Sequence, residues 1–291
     1  METQISIKRL TGAIGAEVNG VNLNHTLGDK TFETIHQAFL DHCMLVFRGQ
    51  FLDPAAQTGF THRWGKVFLA PNQKQSQIPD HPVLAATNRG KAYAFTTEQW
   101  DSDLSFMPGS PGACYSGGAG ATGDGRRHYV CQPVLGIRNV IRGYEARPPG
   151  ATSMARGAKL AAYYGIEDSA SPRSHPIVRT HPETGRKGLY VNRLYTYCID
   201  GRTEAESRGL LDFLFEQGCR PDFTYRHQWA PGDVVMWDNR CTLHYAVHDY
   251  GEAPRVMHRT TVAGRSPGNA DRRVRIEELA KQIKTASTAI M

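Results

Sequence analysis

The sequence predicts an α+β fold: a β-sandwich with helices packed outside it. Two observations carry this. Short apolar or alternating runs, which read as strands, surround the residues best suited to bind a ligand. Helical periodicity lies in three segments away from them and, in part, in the tail after Arg265. No internal repeat interrupts the chain.

Residues 5–24 alternate around Gly12, Gly15 and Gly20, which suggests short strands joined by a turn. Thr31 to Leu40 reads as a helix, with Phe32, Ile35, Ala38 and Phe39 on one face. Met44 to Phe47 is apolar throughout and short enough for a buried strand. Asp53 followed by Pro54 is a helix start, and that helix runs to Trp64 and stops at Gly65. Residues 66–98 read as a long irregular excursion, a common place for function inside a compact domain. Leu189 to Asn192 reads as a strand. Thr203 and Glu206 form a capping box for a helix through Glu216, closed by Gly218. Ala230 to Asp233 is a turn feeding the apolar strand Val234 to Trp237, and Arg255 to Val262 is the last strand. The segment after Arg265 reads as an appended, partly helical tail.

Length and composition narrow the functional classes. The chain has 291 residues, 40% of them hydrophobic, enough for a substantial core in one large domain or two small ones. No run approaches the roughly 18 apolar residues of a membrane span, and Met1-Glu2-Thr3-Gln4 lacks the blocks of a signal peptide. A cytoplasmic protein with no membrane partner is the expectation. Cys43, Cys114, Cys131, Cys198, Cys219 and Cys241 form no CxxC pair, so reduced packing thiols are expected. The net charge of +6 is concentrated in residues 112–153, at +3, and in the tail from Ser266, at +2. No basic face with interleaved aromatics appears, which excludes nucleic acid as the expected partner. A homo-oligomer is compatible with the sequence.

The stretch Gln99-Trp100-Asp101-Ser102-Asp103-Leu104-Ser105-Phe106 places two carboxylates one residue apart, on the same side of an extended segment. Trp237 to His244 then sets a histidine beyond a strand and a polar turn. Arg255 and Arg259 follow His244 at 11 and 15 residues; on one strand, a spacing of four puts them on one face. Two guanidinium forks suit carboxylate-bearing small molecules. Each feature has a plainer reading: Asp-Ser-Asp as a solvated turn, His244 as a packing residue, the arginines as surface groups on an edge strand.

Together these residues resemble the taurine dioxygenase / 2,4-dichlorophenoxyacetate dioxygenase family of Fe(II)- and 2-oxoglutarate-dependent oxygenases. The resemblance covers roughly residues 5–110 and 152–265. It rests on Leu45 to Gln50, Trp100 to Phe106, Arg179 to Lys187, Leu189 to Asn192, Trp237 to His244 and the two arginines. It implies a double-stranded β-helix (jelly-roll) core with flanking helices, in a domain of residues 1–265 followed by a tail of 266–291. It implies Fe(II) as the metal, with Asp103, His244 and position 101 as ligands. It makes Arg255 the clamp on the far carboxylate of 2-oxoglutarate, and sets Arg259 toward the acidic group of the substrate or in support of that clamp. The implied reaction consumes O2 and 2-oxoglutarate, releases succinate and CO2, and hydroxylates a small organic acid such as a sulfonate, carboxylate or aryloxyalkanoate.

Two departures stand out. The family places His where this chain has Asp101, so a second carboxylate lies beside Asp103, with a shorter reach than imidazole. A one-His, two-carboxylate set is harder and less suited to Fe(II) than the usual triad, and still suits Fe(II), Mn(II) or Mg(II) weakly. The second departure is residues 112–153, expected to be irregular. The family has a sheet strand, then Gly-Gly-Asp-Thr, whose Thr helps hold 2-oxoglutarate, then a helix. Here Gly117 to Gly125 and an Arg-, Gly- and Pro-rich run replace them, and His128 falls at the Thr position. A phosphate loop is excluded, since no Lys-Ser or Lys-Thr follows. Gly125 to Tyr129 can be encoded so that reading one base later yields Gly-Gly-Asp-Thr-Met, and Leu135 to Arg147 likewise permits a family-like helix. This points to a compensated frameshift, and Asp101 differs from a His codon by one base. The rivals are a non-catalytic acid-binding relic of the same fold, and a hydrolase or lyase using Asp101 and Asp103 with Mg(II).

Overall fold

The computed structural model describes residues 4–69, 76–87, 99–103, 105, 113–117, 127–131, 152–155, 173–247 and 256–264. For 85–87, 113–117, 127–131, 152–155 and 173 it describes the backbone alone. The expected tail of 266–291 and Arg255 both lie outside these residues.

The N-terminal part holds β1 (Ser6–Arg9), β2 (Ala16–Asn19), α1 (Asp29–His42), β3 (Met44–Phe47) and α2 (Pro54–Trp64). Then come β4 (Val67–Phe68), β5 (Leu84–Thr87), β6 (Ala113–Gly117), β7 (Arg127–Cys131), β8 (Thr152–Ala155), β9 (Arg173–Pro176), β10 (Val178–Thr180), β11 (Lys187–Leu189) and β12 (Thr196–Ile199). The C-terminal part holds α3 (Glu204–Gly218), β13 (Thr224–Gln228), β14 (Val234–Asp238), β15 (Leu243–Ala246) and β16 (Val256–Val262). This is the expected α+β class. The main sheet runs β1-β2-β3-β14-β6-β16-β4, with β5 also on the free edge of β16. Among the described residues, only β2 and β3 pair in parallel within it. A second sheet, β13-β7-β15, carries His244.

β14 shows why an uninterrupted apolar run reads as a strand. It lies between β3 and β6, and all five of its residues are buried. Alternation sends Val234 and Met236 to one face, where they pack with Leu45, Phe47 and the Ile35, Ala38 and Phe39 stripe of α1. Val235 and Trp237 go to the other face, beside Met44, Val46, Trp229 and Met257. The sheet is therefore a middle layer with helices behind it and the ligand-bearing residues in front. α2 is pinned to its back face by polar contacts: Thr61 Oγ1 lies 2.8 Å from Thr260 Oγ1, and both are buried.

The helix signals hold at their polar ends. The Asp53 carboxylate accepts from Ala56 N at 2.7 Å. Thr203 and Glu206 form the reciprocal box at the start of α3. α1 runs two residues further than the expected Thr31 to Leu40 at each end, and terminates at Cys43 in the left-handed region, φ 61°.

Several expectations need correction. Residues 112–153 were expected to be irregular, yet 113–117 form β6 between β14 and β16, and 127–131 form β7 between β13 and β15. β8 begins at Thr152 and pairs with β9 and β12. Ladder bonds are made by backbone groups, so flanking strands can hold an extended segment whose side-chain text shows no periodicity. The rest of the window lies outside the described residues. The excursion 66–98 also contains two strands, β4 and β5, both paired with β16. The strand expected at Leu189 to Asn192 ends at Leu189; the last strand is described from Val256, and its expected first residue, Arg255, lies outside the described residues.

Candidate metal centre

Asp101 and His244 face each other across an isolated antiparallel bridge. Asp101 N donates to His244 O at 3.0 Å, and His244 N donates to Asp101 O at 2.8 Å. Directly opposed residues project to the same side, so the carboxylate meets the imidazole: Asp101 Oδ1 lies 3.6 Å from His244 Nε2. Asp103 was expected on the same extended segment. It sits instead in a turn after it, closed by Ser105 N donating to Ser102 O. The turn still delivers its carboxylate, with Oδ1 3.8 Å from His244 Nε2. One ligand atom from each of Asp101, Asp103 and His244 lies within 4.8 Å of the other two. Cis ligands about 2.2 Å from a metal are separated by about 3 Å, so a small contraction would close these atoms on a divalent cation. The donor set thus fits such an ion, with the harder character that two carboxylates bring.

Asp101 is 6% exposed. Burial pushes its carboxyl up to about 6; Asp103 adds to this, while His244 and Arg259 oppose it. Arg259, on β16, makes an ion pair through Nη2 with Asp103 Oδ2 and lies over the Trp237 ring, 5.7 Å from its centroid. Trp237 in turn packs against the His244 ring at 5.2 Å. The expected clamp Arg255 lies outside the described residues, and His128 is described only as a backbone position in β7, opposite His227 and Ala246.

The support beneath the centre comes from residues whose individual roles the sequence did not reveal. Ser102 Oγ donates to Asn239 O at 2.7 Å, and Asn192 Nδ2 donates to Ser105 Oγ at 3.0 Å. The Trp237 indole N–H donates to Asn239 Oδ1 at 3.0 Å. Asp238 fixes the turn that launches β15. Its carboxylate accepts from Arg240 N, Nε and Nη2, and its own N–H donates to Cys43 O. His181 Nδ1 accepts from the backbone N–H groups of Glu183 and Thr184, so the ring proton is on Nε2 and donates to Asp238 Oδ2 at 3.0 Å. Burial alone would raise the Asp238 carboxyl, but Arg240 and His181 hold it at about 2. Apart from Cys43, these residues lie in stretches singled out above, yet the bonds from Ser102 to Asn239, Asn192 to Ser105 and His181 to Asp238 join positions far apart in the chain.

Among the described residues, His181, Asp238 and Cys241 form a second group of metal-binding types. Arg240 and His181 already use the Asp238 carboxylate. The Cys43 thiol and burial push the Cys241 thiol well above its usual range. This group is a structural anchor. A cavity of about 230 Å³, lined by Trp100, Leu243, Tyr245 and Phe215 among others, lies beside residues that alternate with Asp101 and His244, hence behind the bridge. No helix among the described residues is long and apolar enough to cross a membrane.

A buried histidine and two carboxylates, presented in front of a mostly antiparallel sheet, define a donor set of the mononuclear-metal type. The sequence comparisons give the family. Residues 6–115 and 151–261 match the family described as "Taurine catabolism dioxygenase TauD, TfdA family". The chain belongs to this family of 2-oxoglutarate-dependent dioxygenases. It is 32% identical over 295 residues to a (S)-phenoxypropionate/alpha-ketoglutarate-dioxygenase of Delftia acidovorans, covering 91% of this chain and 97% of that protein. It is 31% identical over 289 residues to an alkylsulfatase of Acinetobacter baylyi, covering 90% and 86%. Its fold matches a crystallised taurine dioxygenase of Burkholderia xenovorans with a TM-score of 0.77 and 29% identity, covering 90% and 91%. The family match breaks between residues 115 and 151, within the window whose text departs from the family pattern.

Proposed function

We propose that the chain uses Fe(II), 2-oxoglutarate and O2 to hydroxylate a small organic acid, in a jelly-roll core like that of its relatives. The observation that carries this is the meeting of Asp101, Asp103 and His244 within 4.8 Å. These three would hold the metal, and Arg255 would pair with the far carboxylate of 2-oxoglutarate. When bound, the metal supplies activation of O2 at the expense of 2-oxoglutarate. The chain's own residues supply placement. The bridge to β15 holds Asp101 against His244, the turn at Ser102–Ser105 brings in Asp103, and the Asp238 anchor fixes the approach to His244. Burial of Asp101 and His244 limits water at the centre. Relatives named for sulfate esters, a sulfonate and phenoxypropionate make alkyl sulfates, sulfonates and aryloxyalkanoates the acids of choice. Incubation with Fe(II), ascorbate and 2-oxoglutarate, with and without these acids, tests the reading. It expects acid-stimulated succinate release, and no succinate with any of them would refute catalysis. The second reading, an acid-binding relic, is favoured by Asp101 at the histidine position and by the unmatched stretch between 115 and 151. It expects 2-oxoglutarate or acid binding by calorimetry without succinate.

A further inference from the structure

We propose that Arg259 is the resident counter-cation of the doubled carboxylate and competes with the metal for Asp103. This rests on the reading that Asp101, Asp103 and His244 form the metal centre. Asp101 and Asp103 both turn toward His244, so two negative groups share one nearly dry spot; their side chains are 9% and 17% exposed. Such a pair repels itself unless a cation lies between or beside the groups. Arg259 provides one. Its ion pair uses Asp103 Oδ2, while Oδ1 of the same carboxylate faces His244. The guanidinium is not a loose surface group that happens to reach inward. β16 is laddered on both sides at this residue, Arg259 opposing Ser116 of β6 and Leu84 of β5. The Trp237 ring lies beneath the guanidinium, and Trp237 is itself tied to Asn239.

Among the described residues, the Arg259 guanidinium stands against the negative charge that Asp101 and Asp103 bring together. Arg259 therefore offsets part of that charge. The consequence is specific: a divalent ion arriving at Asp103 meets a fixed positive neighbour, and loses affinity to it. Were Arg259 a contact for organic acids alone, its removal would leave affinity for the bare metal unchanged.

Mn(II) titration of the intact chain without 2-oxoglutarate, read by electron paramagnetic resonance, separates these cases. Arg259→Gln should bind Mn(II) roughly tenfold more tightly than the parent, since an adjacent charge shifts a carboxylate equilibrium by about one to three powers of ten. Arg259→Lys, which keeps the charge, should stay within about threefold of the parent. Without metal, Arg259→Gln should melt below the parent, and Mn(II) should raise its Tm more than the parent's. If this variant is unfolded without metal, Mn(II) should restore folding, because the ion takes the place of the guanidinium. Equal or weaker Mn(II) binding by Arg259→Gln, or failure to fold with Mn(II) present, would overturn the proposal. Asp103→Asn separates the two levels of inference. If it abolishes Mn(II) binding while Arg259→Gln changes nothing, the competition is wrong and the metal centre stands. If it binds as tightly as the parent, both fail.

Discussion

Asp101 is the residue on which the chemistry of this chain turns. Its backbone is locked opposite His244 by two hydrogen bonds, so a side chain placed there points toward the His244 imidazole whatever its type. Imidazole at that position is neutral, softer and longer in reach than carboxylate. Asp101→His is therefore expected to strengthen Fe(II) binding by roughly tenfold, measured by anaerobic titration. Equal or tighter binding by the parent would mean that a carboxylate at position 101 serves the metal as well as imidazole does, or that the metal sits elsewhere. On our reading that His128 takes the place of a threonine that helps hold 2-oxoglutarate, full turnover should not return with this change alone. Asp238 matters for a different reason. It joins Arg240, His181 and the Cys43 carbonyl at one buried point, and Asp238→Asn leaves Arg240 without its main partner. The cost should be about 3–5 kcal/mol in urea unfolding, as for breaking a buried ion pair.

At the scale of elements, the central strand and the surface helix should respond very differently. β14 is buried on both faces, and Met236 has no exposed surface. Met236→Ala should cost about 2–5 kcal/mol, because a cavity opens between the sheet and α1. Thr203 caps α3 at the surface, where water replaces part of what is lost. Thr203→Ala should cost about 1 kcal/mol and leave metal binding unchanged. Paired denaturation curves check the contrast. The caps and the buried strand were legible because each is written in a few adjacent residues: Asp53 before Pro54, Thr203 before Glu206, Val234 through Trp237. β4 to β7 were not legible. Their pairing partners, β13 to β16, lie more than 90 residues away in the chain, and no local period announces them.

For the whole molecule, acid is the informative stress. The Asp238 carboxyl is held at about 2 in the fold, below the usual value near 3.8. A depressed acid contributes stability that is complete above the unfolded value and disappears as pH falls through the folded one. About 2 kcal/mol should therefore be lost between roughly pH 4 and pH 2, and Asp238→Asn should flatten that part of the profile. Urea unfolding at a series of pH values measures both slopes; an unchanged slope in the variant would assign the acid sensitivity to other groups. The break in the family match between residues 115 and 151 has its own test in the gene. A compensated frameshift requires an open alternative frame across this window, and a stop codon there would rule it out. Restoring that frame together with Asp101→His should give a chain that turns over 2-oxoglutarate.

The helices α1, α2 and α3, the apolar strands β3 and β14 and the identity of the acidic and basic candidates were determined by the sequence itself. Each depends on neighbouring residues and on the periods of helix and strand. The spacing from Asp101 to Asp103 also singled out two carboxylates that meet His244, although it did not show that Asp103 reaches it from a turn. Tertiary structure decided which charges meet. Sequence distance says nothing of the Arg259 guanidinium on Asp103, or of His181 on Asp238, 57 residues further along the chain. Those contacts follow from strand order, because a sheet brings remote residues within a few ångströms. At that range, in a site with little water, charge pairing outweighs any local preference.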